Sequence, residues 1–156
     1  MKIEKQVSEI NLIFKELDSV YHQMAKKNHL SDCAFWILYL LYDRDKSYSQ
    51  NSLCEELSYS KQTINSTISK LKKDGFLTLQ MIPQTRNRKE IILTERGVQV
   101  ADEVIGKVKK IEYKAFSKLT EQERKLYLHL SRMFVENFNE EFSKSINIEK
   151  KKGGAE

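Results

Sequence analysis

Between Ser60 and Lys73, side chains that can hydrogen-bond and side chains that cannot are sorted by helical spacing. At about 100° per residue, Ile64, Ile68 and Leu71 fall within roughly 60° of one another. Gln62, Ser66, Ser69 and Lys73 then point the opposite way, with Thr63 and Asn65 on the flanks. Outward helix faces usually carry Lys and Glu in pairs. This one carries amides and hydroxyls, which suit the edges of DNA bases, and lysines at its end, which suit phosphates. Gln62, Thr63, Asn65 and Ser66 are the candidate base readers. Ser60 is a predicted N-cap, and Asp74-Gly75 a predicted stop, with Gly taking the left-handed conformation after the helix.

Few other residues have the type and spacing for chemistry. Cys33 stands at the start of an apolar run, where a helix N-terminus would lower a thiol pKa and permit redox sensing. Packing among Ala, Phe and Trp is the competing reading. Cys54 reads as an inert core thiol. His22, His29 and Cys33 are metal-ligand types, but the two histidines lie seven residues apart, too far along a helix to chelate one ion. No metal is expected. Tyr21, Phe35, Trp36 and Tyr39 are candidates to line a pocket for a small aromatic or lipophilic effector, or else are core. The chain lacks a Gly-rich phosphate loop and a Gly-x-Ser-x-Gly turn, so neither an enzyme nor a cofactor is expected.

Elements on either side of the polar face place it. Leu53 and Leu57, at i and i+4, predict a short helix starting near Ser49. Three residues, Ser58-Tyr59-Ser60, separate it from the next helix, which makes a helix-turn-helix unit. Phe76–Ile82 and Glu90–Thr94 have strand composition around the basic tip Pro83–Lys89, and so predict a hairpin wing. Residues 60–97 hold eight basic side chains against three acidic ones, and that excess equals the net charge of +5 for the whole chain. Positive charge confined to one region is the footprint of phosphate binding. Gln50, Ser60, Lys61, Lys73, Arg86, Arg88 and Lys89 are the candidate phosphate or wing contacts.

A length of 156 residues with 40% hydrophobic side chains suits one compact domain with an extension. Five glycines and one proline favour long helices. No apolar run reaches the roughly 18–20 residues of a membrane span, and two cysteines make no disulfide framework, so a cytoplasmic protein without membrane contact is expected. Ile3, Val7, Ile10, Phe14, Leu17, Tyr21 and Met24 predict an amphipathic helix over 4–27. Ser31-Asp32 caps a second helix that runs to about Tyr42 and is apolar all round, hence deep in the fold. Helices are also predicted over 97–117, after a Thr94 cap, and over 120–146, after the capping box Thr120–Glu123. The tail 149–156 has the composition of a disordered segment. The fold class is therefore mainly α with a small β-hairpin wing. One domain over 1–148 holds a winged helix-turn-helix core at 47–97, flanked by N- and C-terminal dimerisation helices. A two-fold homodimer would present two reading helices to a pseudo-palindromic operator on double-stranded DNA.

With these elements in place the chain resembles the MarR family of bacterial transcription regulators. The residues that carry the resemblance are Leu53-Cys-Glu-Glu-Leu57, Ser60–Ser66, Leu71-Lys-Lys-Asp-Gly-Phe-Leu77 and Ile92-Leu-Thr-Glu-Arg-Gly97. It implies a dimeric winged-helix regulator, by family tendency a repressor, whose signal is a small ligand or, through Cys33, a redox change. Family wings usually carry Asp-x-Arg near the tip, whereas this chain has Thr85-Arg-Asn-Arg88, which leaves open whether Arg86 or Arg88 enters the minor groove. A winged-helix protein-interaction module is the other alternative, and a nonspecific nucleic-acid binder a third.

Overall fold

The computed structural model describes residues 2–43, 45–81 and 89–153, the last stretch as backbone alone from 147. Six helices and one hairpin follow in order: α1 (Ile3–Lys27), α2 (Asp32–Tyr42), α3 (Gln50–Leu57), α4 (Lys61–Lys73), β1 (Leu77–Met81), β2 (Lys89–Leu93), α5 (Glu95–Phe116) and α6 (Glu121–Gly153). The chain clusters into two compact units, 1–110 and 111–156, where one domain over 1–148 is expected.

In the first unit, local capping decides where helices begin. Ser31 accepts a hydrogen bond from the Ala34 amide at 3.2 Å, and Ser60 accepts one from Thr63 at 3.1 Å. Each satisfies a backbone donor that the first turn leaves unpaired. Ser49 and Ser52 cap one another reciprocally, a box with Ser in place of the usual Glu. Gly75, at φ 78°, ends α4 and turns the chain into β1. β1 and β2 pair antiparallel, Leu77 opposite Leu93 and Met81 opposite Lys89. Ile91 donates to the Tyr48 carbonyl at 2.8 Å, so the segment ahead of α3 lies against the base of the wing.

α2 is apolar all round because it serves two cores. Cys33, Ile37 and Leu41 pack with Leu53, Ile64, Ile68, Leu71, Leu77 and Ile91 in the helix-turn-helix core. Phe35 and Leu38 pack instead with Ala25, Val104, Ile105 and Val108 from α1 and α5. A fully buried Ile or Phe contributes about 1.5–3 kcal/mol relative to exposure, so α2 is tied firmly on both faces. α1 buries only Ala25, and Ile3, Val7 and Leu17 of its predicted stripe are exposed, as are Ile13 and Val20 beside it.

The second unit has no buried side chain among its described residues. α6 opens on the expected capping box, with the Thr120 amide donating to Glu123 at 2.7 Å and Glu123 donating back to the Thr120 hydroxyl at 3.3 Å. The Thr120 amide, with the Thr120 hydroxyl beside it, holds the Glu123 carboxyl below its ordinary pKa. The helix continues to Gly153, beyond the expected end at 146 and through residues read as a disordered tail. Glu and Lys are good helix formers, and the first strong breaker in this stretch is the glycine pair itself. Leu126, Leu130, Met133, Phe134, Phe138 and Phe142 are between 38% and 65% exposed, too open to form a core within one chain.

Candidate nucleic-acid interface

α4 presents the sorted faces its spacing predicts. Ile64, Ile68 and Leu71 are buried at 2% exposure or less, while Lys61, Gln62, Ser66, Ser69 and Lys73 are exposed. Thr63 and Asn65 are half-buried flanks. Within the first turn the hydroxyls are already engaged. Ser60 Oγ lies 2.8 Å from Thr63 Oγ1, and Ser66 Oγ donates to the Thr63 carbonyl at 3.0 Å. Ser66 therefore offers its lone pairs, rather than its proton, to an incoming base edge. Asn65 Oδ1 is buried without a hydrogen-bond partner. That is an unfavourable position for an amide, and no contact of the fold accounts for it.

The candidate phosphate contacts that the structure describes lie on α3, at and within α4, and on β2. Ser60 is the N-cap of α4 with Lys61 beside it, and Lys73 sits in the last turn with Lys70 and Lys72. Gln50 opens α3, half-buried next to the Ser49 cap. Lys89 is exposed at the start of β2. Arg86 and Arg88, at the expected wing tip, lie outside the described residues.

The joint behind α4 is built from residues whose contact the spacing does not reveal. Thr94 Oγ1 donates to the Gly75 carbonyl at 2.6 Å and accepts from the Gly97 amide at 3.0 Å, so one hydroxyl ends α4 and starts α5. A Cβ on Gly97 would stand 1.7 Å from the Phe76 carbonyl oxygen, so only glycine fits there. Arg96, absent from the candidate contacts, lies over the Phe76 ring at 5.2 Å beside Gly75. In the sequence it was marked only as one of the eight basic residues over 60–97 and as a member of the Ile92–Gly97 motif.

The other candidates separate. Cys33 is buried, and burial pushes its thiol pKa up, with a hydrogen bond to Thr67 opposing and the Cys54 thiol adding to the rise. A reactive thiolate needs the opposite shift, so these observations favour Cys33 as a packing residue. His22 pairs with Asp32, its Nδ1 2.9 Å from Oδ1. Of the four aromatic candidates, Phe35 is wholly buried and Tyr39 lies beneath Lys109, whose Nζ is 3.8 Å from the ring centroid. Tyr21 and Trp36, 4.8 Å apart, line an open cleft of about 390 Å³ together with residues of α1, Asp32 of α2 and Tyr59 of the α3–α4 turn. Tyr59 was missed because nothing in its neighbourhood along the chain marks it. No helix among the described residues is long and apolar enough to cross a membrane.

No family model and no curated protein matches this sequence. Solved structures do. The chain is similar to NMB1585, a MarR family regulator from Neisseria meningitidis, with 21% identity over 90% of this chain and 98% of that one, at a TM-score of 0.75. It is also similar to MepR from S. aureus in its DNA-binding conformation, with 19% identity, 84% and 97% coverage and a TM-score of 0.71. A Listeria monocytogenes protein assigned to the MarR family transcriptional regulators, complexed with 26mer DNA, matches at 21% identity, 86% and 89% coverage and a TM-score of 0.68. Identities this low carry the architecture and nothing finer: the chain has the winged-helix fold of MarR family regulators.

Proposed function

We propose that this chain is a sequence-specific, double-stranded DNA-binding transcription regulator. It acts in the cytoplasm as a homodimeric repressor and is released by a small molecule. The observation that carries the reading is α4, whose outward face offers amides and hydroxyls flanked by lysines, beside a hairpin. Gln62 reads base edges with both donor and acceptor, Asn65 with its Nδ2 donor, and Thr63 and Ser66 contribute hydroxyl oxygens. Ser60, Lys61, Lys73, Gln50 and Lys89 meet phosphates, and Arg86 or Arg88 extends the wing towards the minor groove. The Listeria protein of the same fold, complexed with DNA, supports that reading. The exposed apolar stripes of α1 and α6 support a dimer, because a single chain leaves so much greasy surface in water only when a partner covers it. A two-fold pair would set two α4 helices roughly 34 Å apart, one helical turn of DNA.

The test is a titration of the protein onto the DNA upstream of its own gene, at two salt concentrations, beside random DNA of equal length. Binding at least about a hundredfold tighter to the promoter is expected. Equal, steeply salt-dependent binding to both would mean phosphate contacts alone, and no binding to either would refute the reading.

A further inference from the structure

The outward face of α4 is defined as much by what it lacks as by what it holds. Its 13 residues include no arginine and no carboxylate, and its lysines stand at the first position and in the last turn. Guanine is most often read by a guanidinium or an ammonium on O6 and N7, and cytosine by a carboxylate on its amino group. Between Gln62 and Ser69 the face has neither means.

Its hydrogen-bonding groups point to a different base. Gln62 is exposed, and its amide makes no hydrogen bond among the described residues. It meets a base with Oε1 and Nε2 both open, an acceptor beside a donor, which is the complement of adenine at N6 and N7. Ser66 lies one turn on, about 5–6 Å away at Cβ on the same ridge. Base pairs rise about 3.4 Å, so the two side chains reach different pairs. Ser66 Oγ spends its proton on the Thr63 carbonyl at 3.0 Å and so can only accept. Guanine shows nothing but acceptors in the major groove, which leaves Ser66 no bond to make with it. Asn65 Nδ2 suits thymine O4 and guanine O6 alike, and does not decide between them.

We propose that each half-site of the bound DNA presents an adenine to Gln62, held at N6 and N7 together, and that α4 takes no guanine N7. The proposal rests on the DNA-binding reading above and names the base that its reading helix selects.

The experiment selects bound duplexes from a random pool with the full chain. The enriched duplex is then rebuilt with 7-deazaadenine or with 7-deazaguanine throughout. Each analogue removes N7 from the major groove and leaves base pairing and the minor groove, where the wing would lie, unaltered. The adenine analogue should weaken binding about two- to tenfold, the worth of one hydrogen bond, and the guanine analogue by less than about twofold. Gln62→Ala, measured at a salt concentration where it still binds, should take the parent duplex and the adenine analogue equally well. A larger loss with 7-deazaguanine, no loss with 7-deazaadenine, or a Gln62→Ala protein that loses as much as the parent would each overturn the proposal. Any of these results on an enriched duplex leaves the DNA-binding reading standing. A pool that stays random would refute that reading, and the proposal with it.

Discussion

Replacing Asn65 with alanine should raise the stability of the protein while lowering its specific affinity for DNA. The residue is half-buried on the flank of α4, and its Oδ1 is buried with no partner. A buried, unsatisfied polar atom costs about 1–3 kcal/mol, which alanine removes. Alanine also has the better helix propensity, by about 0.5 kcal/mol at an interior position. Against this, the substitution loses a few apolar contacts of the Asn stem. The net expectation is a gain of about 1–2 kcal/mol, or a rise in Tm of about 3–6 °C for a chain of this size. Binding should move the other way. With Oδ1 buried, the amide meets a base edge through Nδ2 alone, a bond worth about 0.5–1.5 kcal/mol, so promoter affinity should fall about two- to tenfold, with binding to random DNA unchanged. Thermal melts followed by circular dichroism at fixed protein concentration give the first quantity, and fluorescence anisotropy on promoter and random duplexes gives the second. A drop in Tm would show that Asn65 is held by the fold rather than for recognition. Unchanged promoter affinity would show that the reading face is misplaced. Either result refutes the reasoning.

Gly97→Ala should destabilise the protein by about 3 kcal/mol or prevent folding, because the new methyl would sit 1.7 Å from the Phe76 carbonyl oxygen; denaturant titration measures it, and a change under about 0.5 kcal/mol would contradict the close approach of Gly97 to Phe76. Phe138→Asp, at a side chain 65% exposed in the single chain, should leave helical content intact yet shift the sedimenting species from dimer to monomer and weaken promoter binding at least about tenfold; an unchanged dimer would place the interface elsewhere.

Much of the fold around α4 was legible because it rests on local rules. Ser31, Ser60 and Thr120 cap the helices they precede, and the separation of Ile64, Ile68 and Leu71 from Gln62 and Ser66 is a matter of angle alone. The wing strands were readable from composition, and Gly75 from its place after a helix. What escaped was contact between distant segments. Gly97 read as a helix start, yet what excludes any larger side chain is the carbonyl of Phe76, on the other side of the hairpin. The Ser49–Ser52 box was hidden because serine replaces the carboxylate that normally marks it. The end of α6, at Gly153, was not readable because a lysine run satisfies the composition of a disordered tail and the propensity of a helix equally well.

The aromatic candidates show how far a one-dimensional pattern can go. Tyr21, Phe35, Trp36 and Tyr39 do form one connected cluster, with Phe35 5.4 Å from Trp36 and Trp36 5.2 Å from Tyr39. Yet α2 turns its three members of the cluster in different directions. Phe35 goes into the core with Leu38 and Val104, and Trp36 turns to the open cleft. No apolar stripe separates those roles, because α2 is apolar on every side. The same property joins the two halves of the first unit. Cys33 and Ile37 pack in the helix-turn-helix core, Phe35 and Leu38 in the core with α1 and α5, and Asp32 and Trp36 in the cleft wall. Interiors packed to crystal-like density do not absorb small shifts, so α2 cannot move at the cleft without repacking the core on which α4 rests.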